Sequence, residues 1–182
     1  MSNKDTKKHS KFLSLILRHK PQTIGIELDE NGWVDVDVLL SAMNKNRKQI
    51  DKSMLEEIVE TNDKKRFAFN DDKTKIRASQ GHSINIDLGL EEVKPPRELY
   101  HGTAASNYDS IFRNGLEKRG RNHVHLSKDP QTAREVGSRH GKPIVLVVNS
   151  GDMRMNGIKF YLSENGVYLT DFVAPRYIGF LS

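Results

Sequence analysis

Apolar residues near the start of the chain recur at helical spacing. Phe12, Leu13, Ile16 and Leu17 fall on one face of a helix. Ser10 suits its N-cap, which leaves residues 1–9 as a polar tail. Pro21 disfavours helical backbone at Lys20, so this helix ends before it, with Arg18 and His19 in the last turn. Ile24–Leu28 alternates like a short strand, Asp29-Glu30-Asn31-Gly32 is a turn signal, and Trp33-Val34 resumes a strand. Asp35 or Asp37 caps a helix carrying Val38, Leu39, Leu40 and Met43. A polar connection over Lys45–Lys52 leads to a helix near Ser53–Glu60, with Met54, Leu55, Ile58 and Val59 apolar. Arg66-Phe67-Ala68-Phe69 alternates as a strand, Asp71-Asp72 turns the chain, and Lys75–Ser79 is the return strand. Helices followed by a hairpin match a small winged-helix module, a fold that often binds nucleic acid.

The pattern then changes. Glu91-Glu92-Val93-Lys94-Pro95-Pro96 is the best linker segment, because two prolines stiffen it and remove backbone donors. Beyond it come many short strands: Leu99–Gly102, His123–Ser127, Ile144–Asn149 and Tyr177–Leu181. Phe160–Leu162 and Val167–Thr170 flank Asn165-Gly166, a hairpin signature. Two helices are expected among them. One spans Ser106–Arg113 and stops at Gly115; the other opens at Asp129-Pro130 and runs to about Ser138. The expected fold is α+β, with a winged-helix-like module over residues 1–94 and a second domain over residues 95–182.

Composition narrows the function. With 36% hydrophobic and 29% charged residues, the chain is globular and not disordered. The absence of Cys among its 182 residues excludes a disulfide scaffold, a thiolate zinc site, an iron–sulfur cluster and a cysteine nucleophile. The longest aliphatic run, Ile144–Val148, is too short to span a bilayer. The polar N-terminus lacks the apolar core of a secretory signal, so a cytoplasmic location is expected. Charge divides unevenly. Residues 1–94 hold 13 Lys and 4 Arg against 16 acidic residues; residues 95–182 hold 4 Lys and 8 Arg against 8 acidic residues. Arg donates two parallel hydrogen bonds to phosphate, so the second half suits a phosphorylated partner or a merely solvated surface.

No Walker-type phosphate loop and no Rossmann glycine fingerprint is present. His123-x-His125 puts two imidazoles on one strand face, and His101 could complete a three-histidine zinc site. Without a carboxylate partner or other metal signature, no metal is expected. Five strings remain: Leu17-Arg18-His19, Asn62-Asp63-Lys64-Lys65-Arg66-Phe67, Ala78-Ser79-Gln80-Gly81-His82-Ser83, Leu99-Tyr100-His101-Gly102-Thr103, and Arg121-Asn122-His123-Val124-His125-Leu126-Ser127. In this order and spacing, over nearly the whole chain, they resemble the RNA 2′-phosphotransferase (Tpt1/KptA) family.

That resemblance implies removal of an internal RNA 2′-monophosphate, of the tRNA splice-junction type, with NAD⁺ consumed as the acceptor. The RNA 2′-phosphate attacks the anomeric carbon of the nicotinamide ribose, nicotinamide leaves, and an ADP-ribosylated RNA phosphate forms. The neighbouring ribose hydroxyl then attacks the phosphorus, releasing RNA with a plain 2′-OH and ADP-ribose 1″,2″-cyclic phosphate. The resemblance also implies an ADP-ribosyltransferase-like second domain, which explains NAD⁺ use without a Rossmann motif, and it favours a monomer.

By the same resemblance Arg18, Arg66 and Arg121 match the catalytic arginines and His19 the catalytic histidine. Converging Arg forks suit a phosphodiester that also bears a monophosphate. His101, Gly102 and Thr103 match the first NAD⁺ motif, where a glycine would let backbone approach the nucleotide. His125 and Ser127 match the second, and Ser110 and Ile111 lie on the helix that packs against NAD⁺ in the family. Arg139 is a further anion ligand for NAD⁺ or RNA, or else a cap for its own helix. Gln80, Gly81, His82 and Ser83 match a family string that either binds RNA or supports the domain junction. Lys residues of the first module would contact the RNA backbone without reading sequence. Two other readings stand beside this one: an NAD⁺-dependent ADP-ribosyltransferase acting on nucleic-acid ends, and a non-catalytic winged-helix nucleic-acid binder.

Overall fold

In the computed structural model, which describes residues 3–181, the chain forms two compact units that divide between Gly89 and Leu90. Both mix helix and sheet, as an α+β chain does.

The first unit opens with α1, Asn3–Arg18. It starts earlier than the expected Ser10 cap, because residues 3–10 contain no helix breaker and Asp5 favours the first turn. Ser10 is therefore interior to the helix, where its carbonyl accepts from the Ser14 hydroxyl at 2.9 Å. The earliest part of the expected tail, residues 1 and 2, lies outside the described residues. The helix stops before Pro21, which begins a 3₁₀ turn over Pro21–Ile24. That turn and the left-handed Gly25 (φ 70°) replace the strand expected at Ile24–Leu28. Proline fixes the φ that a 3₁₀ turn needs, and the alternation of Ile24 and Ile26 reflects two separately buried side chains.

β1 (Val34–Asp35) runs into α2 (Val36–Lys45), whose N-cap Asp35 accepts from the amides of Asp37 and Val38. α3 (Lys52–Glu60) follows, capped by Asp51. β2 (Phe67–Phe69) and β3 (Lys75–Ala78) close an antiparallel sheet of order β1-β3-β2, with Ile76 opposite both Val34 and Phe69. The core packs Leu13, Ile16 and Leu17 of α1 against Leu39, Met43, Leu55, Ile58 and Ile76.

In the second unit β4 (Leu99–Ala104) leads through a 3₁₀ turn at Ala105–Asn107 to α4 (Tyr108–Asn114). β5 (Leu116–Glu117), β6 (Val124–Leu126), α5 (Pro130–Gly137) and β7 (Pro143–Val148) follow. Then come α6 (Ser150–Met155), β8 (Tyr161–Leu162), β9 (Tyr168–Thr170), β10 (Phe172–Val173) and β11 (Ile178–Phe180). The strands form antiparallel sheets of order β11-β7-β4, β6-β9-β8 and β10-β5 around Leu99, Leu126, Leu146, Met153 and Phe160.

The second half thus holds a third helix, α6, beyond the two expected. Gly151 reads locally as a breaker, but its N–H donates to Arg97 O at 2.9 Å and Asn149 caps the turn. The proline-rich segment is bonded into this unit: Val93 N–H donates to Phe160 O at 2.8 Å, and the Ser150 hydroxyl to Pro96 O at 2.7 Å. Glu92 is ion-paired with Arg154 and Lys159. Among the described residues no helix is long and apolar enough to cross a membrane.

Candidate active site

In the first unit the end of α1 is where three of the marked strings meet. Arg18 closes the helix and points a guanidinium N–H at Arg66 O, 3.5 Å away. Arg66 itself donates to Asn62 Oδ1 at 3.4 Å, and the Asn62 amide donates to the Ser10 hydroxyl at 3.2 Å. His19, exposed just past the helix, has its Nδ1 2.8 Å from the Ser83 hydroxyl. Helix termination places it there, since Pro21 forces the chain to turn while Leu15 O still accepts from the His19 and Lys20 amides. Arg18, His19 and Arg66 are therefore gathered on one unit by a helix end, a strand start and the segment after β3.

That last segment carries a residue whose role sequence alone does not suggest. His82 is 1% exposed, and its Nε2 has no hydrogen-bond partner among the described residues. Burial, reinforced by the charges of Arg18, His19 and Arg77, pushes its imidazole from the ordinary 6.5 down to about 4. A stability consequence follows. The unfolded chain takes up a proton near pH 6.5 and the folded unit only near 4, so the neutral imidazole's contribution is complete above pH 6.5 and is lost as pH falls towards 4. The loss is roughly 3 kcal/mol at most. The Trp33 fluorescence midpoint in urea should fall between pH 7 and 4.5, and fall less in His82→Gln. Equal pH slopes in the two proteins would refute the assignment.

In the second unit β4 and β6 are tied by reciprocal amide bonds between Tyr100 and Ser127, at 2.9 and 2.7 Å. This bridge sets His101 beside His125. His101 Nδ1–H donates to His125 O at 3.0 Å, because a carbonyl can only accept, and this leaves the Nε2 lone pair available. Burial, and then the charges of Arg121, Arg119 and His140, lower the His101 imidazole below its ordinary range, against the opposing pull of the His125 carbonyl. His101 is thus neutral at pH 7. Arg121 donates to His125 Nδ1 at 3.1 Å, which fixes the proton of a neutral His125 on Nε2.

The other marked residues fall elsewhere. Thr103 is buried and its hydroxyl accepts from the Asn107 amide at 3.0 Å. Ser110 is exposed on α4, but Ile111 is 4% exposed and packs in the core of the unit. Arg139 is exposed just past α5. Gly102 also has a packing role. A Cβ at that position would lie 1.5 Å from Ala133 O and 3.0 Å from Gly137 N. The backbone that approaches this glycine is that of α5. Of the residues near His101, Arg119 and His140 carry no motif signal; only their charge on the folded site marks them.

Comparison with known proteins bears on these clusters. Residues 4–172 match the model of the RNA 2'-phosphotransferase, Tpt1 / KptA family. A probable RNA 2'-phosphotransferase of Flavobacterium johnsoniae is 56% identical over the full length of both chains. One from Fusobacterium nucleatum is 52% identical over 95% of this chain and 97% of its own. One from Hahella chejuensis is 51% identical over 98% of this chain and 96% of its own. With a match this long, and relatives this similar end to end, the chain belongs to the RNA 2'-phosphotransferase, Tpt1 / KptA family.

Proposed function

We propose that this chain removes an internal 2′-monophosphate from RNA, of the kind left at a tRNA splice junction, by transferring it to NAD⁺. The family match over residues 4–172 carries the reading. The reaction has two displacements. A 2′-phosphate oxygen attacks the anomeric carbon of the nicotinamide ribose, and the bond to nicotinamide breaks. The adjacent ribose 2″-hydroxyl then attacks phosphorus, and the bond to the RNA 2′-oxygen breaks with a proton delivered to that oxygen. The products are nicotinamide, RNA with a 2′-OH, and ADP-ribose 1″,2″-cyclic phosphate.

The side chains support this assignment of labour. Arg18 and Arg66, joined through the Arg66 carbonyl, supply two guanidinium groups to a doubly charged phosphate, whose charge grows in the second step. His19, exposed and held at Nδ1, offers Nε2 to the departing RNA oxygen. His101, with Nδ1 committed to a carbonyl, keeps an acceptor for a ribose hydroxyl, and this fits NAD⁺. Arg121, which donates to His125, holds that ring and brings a cation to an anionic substrate.

The first unit, three helices with an antiparallel sheet, is read as a winged-helix module whose lysines touch the RNA backbone. The second, with short antiparallel sheets around one core, is read as an ADP-ribosyltransferase-like domain. The protein is taken to act as a cytoplasmic monomer without a metal.

The test is incubation with NAD⁺ and a short RNA carrying one internal 2′-phosphate, followed by gel mobility and mass. Loss of the phosphate together with appearance of ADP-ribose 1″,2″-cyclic phosphate is expected. An RNA that gains ADP-ribose and keeps it would favour a transferase acting on nucleic acid, and an unchanged RNA with no NAD⁺ binding a non-catalytic binder.

A further inference from the structure

The segment from Ser79 to Ser83 follows β3 and has no regular secondary structure, yet it is bonded at both ends to the strings that carry the charged residues. At its start Ser79 N–H donates to Arg66 O at 2.9 Å, and the Ser79 hydroxyl donates to Lys65 O at 2.8 Å. At its end Ser83 N–H donates to Arg18 O at 2.9 Å, and the Ser83 hydroxyl meets His19 Nδ1 at 2.8 Å. Between them Gly81 takes φ 87°, a left-handed turn that a side chain would strain. His82 anchors the middle of the segment in the interior at 1% exposure.

We infer that Ser79–Ser83 is a brace between the Arg66 and Arg18–His19 strings, and that Ser83 is a positioning residue for His19. The inference rests on the reaction proposed above. The two bonds from Ser83 differ in kind. Its amide fixes the helix end, a purely structural task. Its hydroxyl reaches the exposed imidazole of His19. A hydroxyl that donates to Nδ1 orients the ring and leaves the proton of the neutral imidazole on Nε2. A histidine that must hand a proton to a departing oxygen needs both.

The test compares Ser83→Ala with Ser83→Thr, which keeps the hydroxyl. In the 2′-phosphate assay Ser83→Ala should lower kcat about 10-fold or more, leave KM for RNA and NAD⁺ nearly unchanged, and let ADP-ribosylated RNA build up. Ser83→Thr should restore most of the rate. Ring ¹⁵N shifts of His19, assigned by loss of its signals in His19→Gln, should show one tautomer in the wild type and an averaged mixture in Ser83→Ala. Unchanged His19 shifts, or wild-type kcat in Ser83→Ala, would overturn the positioning role. So would equal loss in both variants with a lowered Tm, since that marks a structural residue only. A wild type that leaves the RNA untouched overturns the proposed reaction and this role with it. The shift measurement still reports separately whether Ser83 holds His19.

Discussion

Gly102→Ala is expected to unfold the second unit. The added methyl would sit 1.5 Å from Ala133 O and 2.4 Å from its carbonyl carbon. Both atoms belong to the backbone of α5, so no rotamer change can make room. The contact is reciprocal: a Cβ at Gly137 would lie 2.9 Å from both N and O of Thr103. Strand and helix therefore touch backbone to backbone at two glycines, and β4 cannot retreat because it is paired with β7 from Leu99 to Ala104. Overpacking against movable side chains costs about 1–3 kcal/mol, and a clash with two fixed backbones exceeds that. An expected cost of about 4 kcal/mol or more takes most of the stability of a small domain.

The chain provides its own reporters, since its one Trp lies in the first unit and its five Tyr in the second. Gly102→Ala should lose the near-ultraviolet tyrosine dichroism at 25 °C. Gly179→Ala, whose methyl would meet nothing within 4 Å, should keep it, with stability changed by no more than about 1 kcal/mol. A Gly102→Ala protein with the wild-type Tm would show that α5 does not approach β4 this closely.

His19→Ala has the largest expected effect on turnover. On the proposed reaction the first displacement needs no proton, because nicotinamide leaves as a neutral base. The second needs one, delivered to the RNA 2′-oxygen. Removing the imidazole should therefore slow the second step by roughly 10²–10⁴-fold while nicotinamide is still released once per RNA. The gel should show RNA carrying ADP-ribose, a species that the wild type clears. The Arg18–Arg66 and Arg66–Asn62 contacts do not pass through the His19 side chain, so the two arginines stay in place. If the variant clears RNA at the wild-type rate, His19 is not the proton donor. If it releases no nicotinamide, the histidine acts in the first step.

Several elements were legible because their signals are local. Asp35 before α2, and Asp129 with Pro130 at the start of α5, are caps that work within one turn of backbone. The turn at Asn165-Gly166 joins β8 to β9 for the same reason, with Gly166 at φ 79°. Misreadings occurred where a longer contact overrides local preference. α6 forms despite Gly151 because Arg97, far away in sequence, accepts its N–H. β5 and β10 are two residues each and exist by pairing with one another, so neither has a pattern of its own.

The candidate site divides the same way. Which residues carry charge, and the order in which their strings occur, is a property of sequence, and the family resemblance rests on it. So is the end of α1 at Arg18, which Pro21 imposes through its fixed φ. The tertiary structure alone decided what those residues touch. His19 meets Ser83 across a separation of 64 residues, and Arg18 meets the Arg66 carbonyl across 48. No periodicity spans such distances, since loop closure is set by the whole packed unit and not by neighbours in the chain. Gly102 is the sharpest case. In sequence a glycine records only that something must come close, and the fold shows that the backbone of α5 does so on the side a Cβ would occupy.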